Sequence, residues 1–453
     1  MKMENTAPPV DSEKWKTWSP REDLAPRSGR RERDGSQCLW MASPDRFNAF
    51  GKWIAEGLPV AADTWYLFRA SYRTEKVDYE RTSVVAMITW MKQDRRHPIL
   101  KRDYVEYLLD EGNGWKSLAG RLKSPEDAES VRIELFFRWS EKGEVWWRSV
   151  DLRPAKKIAG RKVRAVAVFD PTIFYQTREQ LLKRAERVLD LAGKEKPDII
   201  CLTEIFPSRG MERPISEQVE PFPDGPGSKL LARKAREFSC YIAGSLYASV
   251  TEGGRDTIYN MGVLFDRQGR LVGTYPKVQI TLNEAEKGVS PGRDFPVFDT
   301  DFGRVGMITC WDIAFCETVR ILAARGAEMI LLPIAGAMNW ETTCQLRAVE
   351  NGIYLVGSLS LRGPSLIMSP KGEILAKTHA LPVNHKQEDP EIGLAVAECD
   401  LDFRMETRGS VDVPTDQRSL ILVERRIDAF APLSRSESYN SAGPTKESVQ
   451  PKK

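Results

Sequence analysis

Three residues stand just past the ends of short apolar runs, and their types suit a nucleophile, a proton carrier and a charge stabiliser: Cys310, Glu204 and Lys277. The run Val305-Gly-Met-Ile-Thr309 is too short for a helix and begins after Gly303, so it predicts a buried strand that delivers Cys310 to a turn. A helix follows over Cys316 to Arg325, with Val319, Leu322 and Ala323 on one face and Gly326 as its stop. Such a turn lifts a sulfur clear of the sheet while backbone N–H groups face whatever it attacks. The competing reading is an inert buried thiol, the commoner fate of a free cysteine.

Glu204 directly follows the strand-like Pro197-Asp-Ile-Ile-Cys-Leu202, and Lys277 follows Leu271 to Tyr275. A glutamate that takes the thiol proton and later gives it to a departing amine, beside a lysine that holds an oxyanion, is a complete set for acyl transfer from nitrogen. Taken singly, a Glu or Lys after a strand is usually a solvated surface residue. Histidine offers less, because His97 lies in the β-rich first third while His379 and His385 lie in a polar loop with Pro382 and Pro390. A Cys–His pair would need that loop to fold back.

The elements that must carry these residues alternate. Val163 to Phe169 reads as a strand, Thr177 to Ala192 as an amphipathic helix with Leu181, Leu182, Ala185, Val188 and Leu189 on one side, and Lys229 to Phe238 as a second helix. Strands at Tyr241 to Val250, Asn260 to Asp266, Glu328 to Pro333, Tyr354 to Ser358 and Gly393 to Asp400 follow, with a helix at Thr342 to Asn351 and a hairpin at Leu366 to Ile374. The pattern predicts an α/β layered domain. Ahead of it the rhythm is all-β: ten of the twelve tryptophans lie before residue 150, among runs at Thr64 to Tyr72, Thr82 to Met91, Val131 to Trp139 and Val145 to Leu152. Residues 1–37, rich in Pro, Ser, Lys, Arg and Glu, read as a flexible leader, Lys156 to Lys162 as a basic linker, and 432–453 as a disordered tail.

Composition narrows the partners. With 67 basic against 64 acidic residues the net charge is +3, which gives no ground for nucleic acid or an anionic membrane. Seven scattered cysteines, never in a CxxC pair, suit the reduced thiols of a cytoplasmic protein rather than a disulfide framework or a zinc site. No early run resembles a signal peptide and none reaches the roughly 18 apolar residues of a membrane span.

Two resemblances follow from the motifs. Gly114-Trp-Lys-Ser-Leu118, Lys123-Ser-Pro-Glu-Asp-Ala128 and Gly143-Glu-Val-Trp-Trp-Arg-Ser-Val-Asp-Leu152 resemble the last strands of a jelly-roll sandwich of the galactose- or carbohydrate-binding kind, here over 38–155. Exposed Trp there could stack on a sugar, although Trp65, Trp90, Trp139 and Trp147 filling a small core is the plainer reading. Ile199-Ile-Cys-Leu-Thr-Glu204, Tyr275-Pro-Lys277, Glu286-Lys-Gly-Val-Ser-Pro-Gly292, Phe298 through Cys310-Trp-Asp and Arg347-Ala-Val-Glu-Asn351 resemble, in order and spacing, the motifs of the nitrilase or carbon–nitrogen hydrolase superfamily over 162–430. That resemblance implies a four-layer αββα sandwich, no cofactor or metal, and a homodimer or larger homo-oligomer.

It also implies roles. Glu204 is the general base and acid, Lys277 the oxyanion stabiliser, Cys310 the nucleophile, and the N–H of Trp311 the rest of the oxyanion hole. A second glutamate is implied in the loop that holds both Glu284 and Glu286, and Glu286 is preferred because it stands nearer the Pro291-Gly292 turn. Trp340 is set with Trp311 and Glu284 among the pocket residues, and Met338 or Trp340 could cap the sulfur. The family pattern is broken by Pro276, Gln279 and Ile280 around the lysine and by Cys316 where a proline is usual. The expected reaction is hydrolysis of a small amide or N-carbamoyl compound through a cysteine thioester. A nitrile hydrolase is the alternative, and a catalytically idle glycan-binding scaffold is the reading from another class.

Overall fold

The computed structural model describes residues 5–430 apart from 95, 106, 158–159, 173–176, 337–339, 362–363, 380–389, 408–412 and 428. The chain divides into two units, one formed by residues 159–405 and the other by 1–158 together with 406–453.

In the 159–405 unit the apolar runs have both faces covered. Lys162–Phe169 pairs in parallel with Ile199–Cys201 and antiparallel with Gly393–Asp400, and Tyr241–Glu252, Arg255–Phe265 and Leu271–Pro276 extend the same sheet. A second sheet runs Val297–Asp299, Arg304–Met307, Met329–Ile334, Tyr354–Leu359, Leu366–Met368, Ile374–Lys377. Alternate residues of one strand go to different clusters, as the period of two requires. Ala165 and Ala167 meet Val305, Met307 and Leu331 between the sheets, while Val166 and Val168 meet Ala185, Val188 and Leu231 of the helices Arg178–Gly193 and Pro226–Phe238. On the other sheet, Ile330 and Leu332 pack on Val319, Leu322, Cys344 and Ala348 of the helices Cys316–Ala324 and Trp340–Asn351. The molecule is therefore a mixed α/β protein with several sheets. Thr177 caps the first of those helices by accepting from the Gln180 N–H, and Ser239 ends the second in the left-handed region.

The other unit is built on two more sheets, ordered Lys16–Trp18, Phe50–Pro59, Ser130–Arg138, Val84–Met91, Ile99–Tyr104, Thr415–Asp416, Glu406–Thr407 and Arg27–Arg33, Ser36–Ala42, Glu144–Pro154, Trp65–Glu75, Trp115–Lys123, Tyr107–Gly112. Trp53, Ile88, Trp90, Leu135 and Phe137 of the first meet Leu39, Met41, Phe68 and Trp147 of the second in one apolar core. Trp90 and Trp147 are fully buried there, whereas Trp65 and Trp139 are only half-buried.

Two expectations on segment boundaries are corrected. Residues 16–18 and 27–33, expected in a flexible leader, are paired strands, and Trp15 is buried in the core. Their charges misled because Arg27–Arg33 is an edge strand whose side chains lie mostly outside; Arg31 stacks on Trp40 at 3.5 Å and Arg33 on Trp146 at 4.7 Å. Residues 406–430, expected at the end of the hydrolase segment, belong with the first unit instead. Thr415 pairs with Arg102, Val423 packs on Val85, Met87 and Phe136, and the buried Arg138 guanidinium donates to the Val423 carbonyl at 3.0 Å. The tail over 432–453 lies outside the described residues.

Candidate active site

Glu204 leaves the sheet right after Ile199–Cys201, Lys277 right after Leu271–Pro276, and Cys310 shortly after Arg304–Met307. Strand ends from both sheets thus deliver all three to one place. The Lys277 ammonium lies 2.9 Å from Glu204 Oε1 and 2.8 Å from Glu284 Oε2, and it is only 1% exposed. Burial alone would lower its pKa, but the charges of Glu204, Cys310 and Glu284 overcome that and hold it well above the ordinary lysine range, so it stays an ammonium. Asn260, on the neighbouring strand, donates to Oε1 of Glu204 and of Glu284, each at 2.8 Å, which lets two carboxylates share one site.

Glu204 uses its two oxygens differently. Oε1 takes Lys277 and Asn260, while Oε2 accepts the Ala335 N–H at 2.8 Å, and the Cys310 thiol is a hydrogen-bonding neighbour of the same carboxylate. Cys310 itself sits at φ 49° on a short turn, Cys310–Ala314, a left-handed conformation that costs a non-glycine residue energy. Burial first, then the negative charge of Glu204, pushes the thiol pKa up against the opposing pull of Lys277 and the Ala335 amide. The balance favours the protonated sulfur, with the Glu204 carboxylate as its neighbour. Trp311 follows in the turn, where the first amides of a helical segment have no partner within it.

Asp312 ties these parts together. Its Oδ2 accepts the Thr309 N–H at 2.8 Å and the Tyr275 hydroxyl at 2.7 Å, and its Oδ1 accepts the Gln279 N–H at 2.8 Å. One buried carboxylate therefore grips the residue before Cys310 and the residues two before and two after Lys277. Burial pushes its pKa up to about 6 in spite of those donors.

The second carboxylate is Glu284, not the expected Glu286. Leu282–Glu286 is a single helical turn capped by Thr281, and Glu284 lies on its buried side against Lys277 and Asn260. Glu286 is exposed. Burial raises the Glu284 pKa, but the Lys277 charge and donors on Asn260, Lys277 and Thr281 outweigh it and leave it below the usual carboxylate range. Trp340 is buried in one apolar cluster with Cys310; Met338 and His385 lie outside the described residues. His97 and His379 are exposed. Asn260, Asp312 and the Ala335 amide carried no assigned part in the sequence reading. Asparagine at the head of the otherwise apolar Met261-Gly-Val-Leu-Phe265 was the available signal for the first. Among the described residues no group of His, Cys, Asp and Glu is placed to hold a metal ion, and no helix is long and apolar enough to cross a membrane.

The family model for carbon-nitrogen hydrolases matches residues 165–408, more than half of the chain. The chain belongs to the carbon-nitrogen hydrolase family. Its relatives in that family include omega-amidase NIT2 of Bos taurus, 29% identical over 265 residues that cover 53% of this chain and 91% of that protein. Omega-amidase NIT2 of Homo sapiens is 30% identical over 251 residues, covering 50% of this chain and 86% of that protein. Among solved structures, Saccharomyces cerevisiae Nit3, a member of branch 10 of the nitrilase superfamily, matches with TM-score 0.45 at 25% identity over 54% of this chain and 93% of that one. An amidase from Nesterenkonia sp. matches with TM-score 0.46 at 24% identity over 61% of this chain and 97% of that one.

Proposed function

We propose that this carbon-nitrogen hydrolase cleaves small amides through a thioester on Cys310, within an αββα layering of residues 159–405. The reading is carried by one observation: the Glu204 carboxylate holds the Lys277 ammonium with Oε1 and is at the same time the hydrogen-bonding neighbour of the Cys310 thiol. In the first step the S–H proton passes to Glu204 as sulfur bonds to the amide carbon. The carbonyl π electrons move to oxygen, and the oxyanion is held by the Lys277 ammonium and the Trp311 N–H. Glu204 returns the proton to nitrogen, the carbon–nitrogen bond breaks, and ammonia or an amine leaves a thioester. Water then gives a proton to Glu204 and its oxygen to the acyl carbon; the second tetrahedral intermediate expels the thiolate, which regains the proton, and the acid departs. Because the thiol is protonated at rest, proton transfer and attack belong to one step. Glu284 keeps Lys277 charged and placed.

Amide is favoured over nitrile because the relatives include omega-amidases. The test is ammonia release from short aliphatic amides and from the matching nitriles, with mass spectrometry of the protein quenched in acid. Amide turnover and an acyl adduct on Cys310, both lost in Cys310→Ala, are expected. Turnover of the nitriles alone, or an adduct mapped to Cys316 or Cys344, overturns the reading.

A further inference from the structure

Tyr247 is a buried residue of this site that the mechanism does not use. It stands on Tyr241–Glu252 directly opposite Asn260 of Arg255–Phe265, so the two side chains leave the same face of the sheet. That face is fixed twice over. Leu246 and Ala248 on either side of Tyr247 pack into the helix-covered cluster, while Ser245, two residues before it, receives the Ile205 N–H at 2.8 Å just after Glu204. Tyr247 is 5% exposed, and its hydroxyl has no hydrogen-bond partner among the described residues and is not one of their fully buried unpartnered polar atoms, so it remains open to a ligand. Burial, then the negative charges of Glu284 and Glu204, hold the phenol protonated, with Lys277 and Cys310 acting less. The phenol thus stands beside Asn260, the residue that bridges Glu204 and Glu284.

Resting on the amidase reading above, we propose that Tyr247 is a specificity-determining residue that hydrogen-bonds the acyl chain of the substrate and favours amides carrying a neutral oxygen there. The leaving group of a primary amide is a single nitrogen, so substrate atoms remote from the sulfur are acyl atoms. A neutral oxygen suits the place because two carboxylates already share it with one ammonium.

The experiment compares butyramide with its isostere 3-hydroxypropionamide on the full chain and on Tyr247→Phe, with the rate of iodoacetamide labelling at Cys310 as a check on the triad. Loss of one hydrogen bond predicts about a 3- to 10-fold fall in kcat/KM for the hydroxylated amide relative to butyramide. Labelling should be unchanged. Equal ratios in wild type and variant overturn the proposal while the amidase reading stands. Slower labelling with both amides reduced alike overturns it too, since the tyrosine would then act on the triad. A wild-type chain that hydrolyses no amide overturns both.

Discussion

Each of the two units buries a glutamate beside a lysine, and of these two pairs one has a cysteine thiol beside it. Glu134 in the first unit is fully buried, and both its oxygens are taken: Lys52 lies 2.5 Å from Oε1, the Thr89 hydroxyl 2.8 Å from Oε2 and Arg132 Nε 3.3 Å from Oε2. Glu204 is nearly as deeply placed, but its Oε2 accepts a backbone amide, and the carboxylate has the Cys310 thiol for a neighbour. Burial and an ion pair are therefore no sign of function by themselves. What separates the pairs is a thiol in reach of the carboxylate.

That contrast can be broken by exchanging the same atoms in both places. Glu204→Gln should cost about 100- to 10,000-fold in kcat for an amide, the range of a lost general acid–base, with little change in Tm. Glu134→Gln should leave kcat alone and lower stability by roughly 1–3 kcal/mol, the cost of an unsatisfied buried group. If the two variants behave alike in both assays, the distinction fails. Lys277→Met should fold normally and lose on the order of 100- to 1,000-fold in kcat as an oxyanion donor disappears; near-wild-type turnover would mean that another group holds the oxyanion.

Smaller effects sharpen the picture inside the site. Glu284→Gln should slow turnover about 10-fold, for about 1.4 kcal/mol of lost support to the ammonium, while Glu286→Gln stays within about twofold. Reversal of that order would restore Glu286 as the second carboxylate. Asp312 supplies a pH signature. Its folded pKa of about 6 stands above the ordinary 3.8, so the folded state holds the extra proton and this group favours folding below about pH 4. The contribution is lost as pH rises through 6, and it amounts to roughly 3 kcal/mol. Asp312→Asn removes the titration, so the unfolding free energy of the wild type relative to that variant should fall by up to about 3 kcal/mol between pH 4 and pH 7. A pH-independent difference, measured by urea denaturation, would show that the carboxyl is not perturbed.

Much of the site could be read from the chain because each reactive residue follows an apolar run, and a buried strand has to end somewhere definite. The runs alone leave Glu204 and Lys277 readable as solvated surface residues, and it is the resemblance of the surrounding motifs to the carbon–nitrogen hydrolase superfamily that sets them with Cys310. The choice between Glu284 and Glu286 was different, since five residues cannot phase a helix by periodicity. Thr281-Leu-Asn-Glu284 did carry the signature of a capping box, in which the glutamate folds back toward the helix start. The Asp312 grip was illegible, because it joins elements 37 residues apart through side chain and backbone together. So were the paired strands among the charges of 27–33, where stacking on tryptophan replaces apolar alternation.

The return of Glu406–Thr407, Thr415–Asp416 and the helix Gln417–Val423 to the first unit fixes an order of events during synthesis. The ribosome finishes Glu144–Pro154 with those pieces still some 260 residues away, a wait of roughly 13 to 52 s at ordinary elongation rates. Throughout that interval Ile99–Tyr104 has one open edge and Arg138 lacks the Val423 carbonyl, while the hydrolase unit emerges whole and uninterrupted. The enzyme half is thus an insertion in the coding order of the other half, free to fold first, and the nascent first unit is the part most exposed to chaperones and proteases.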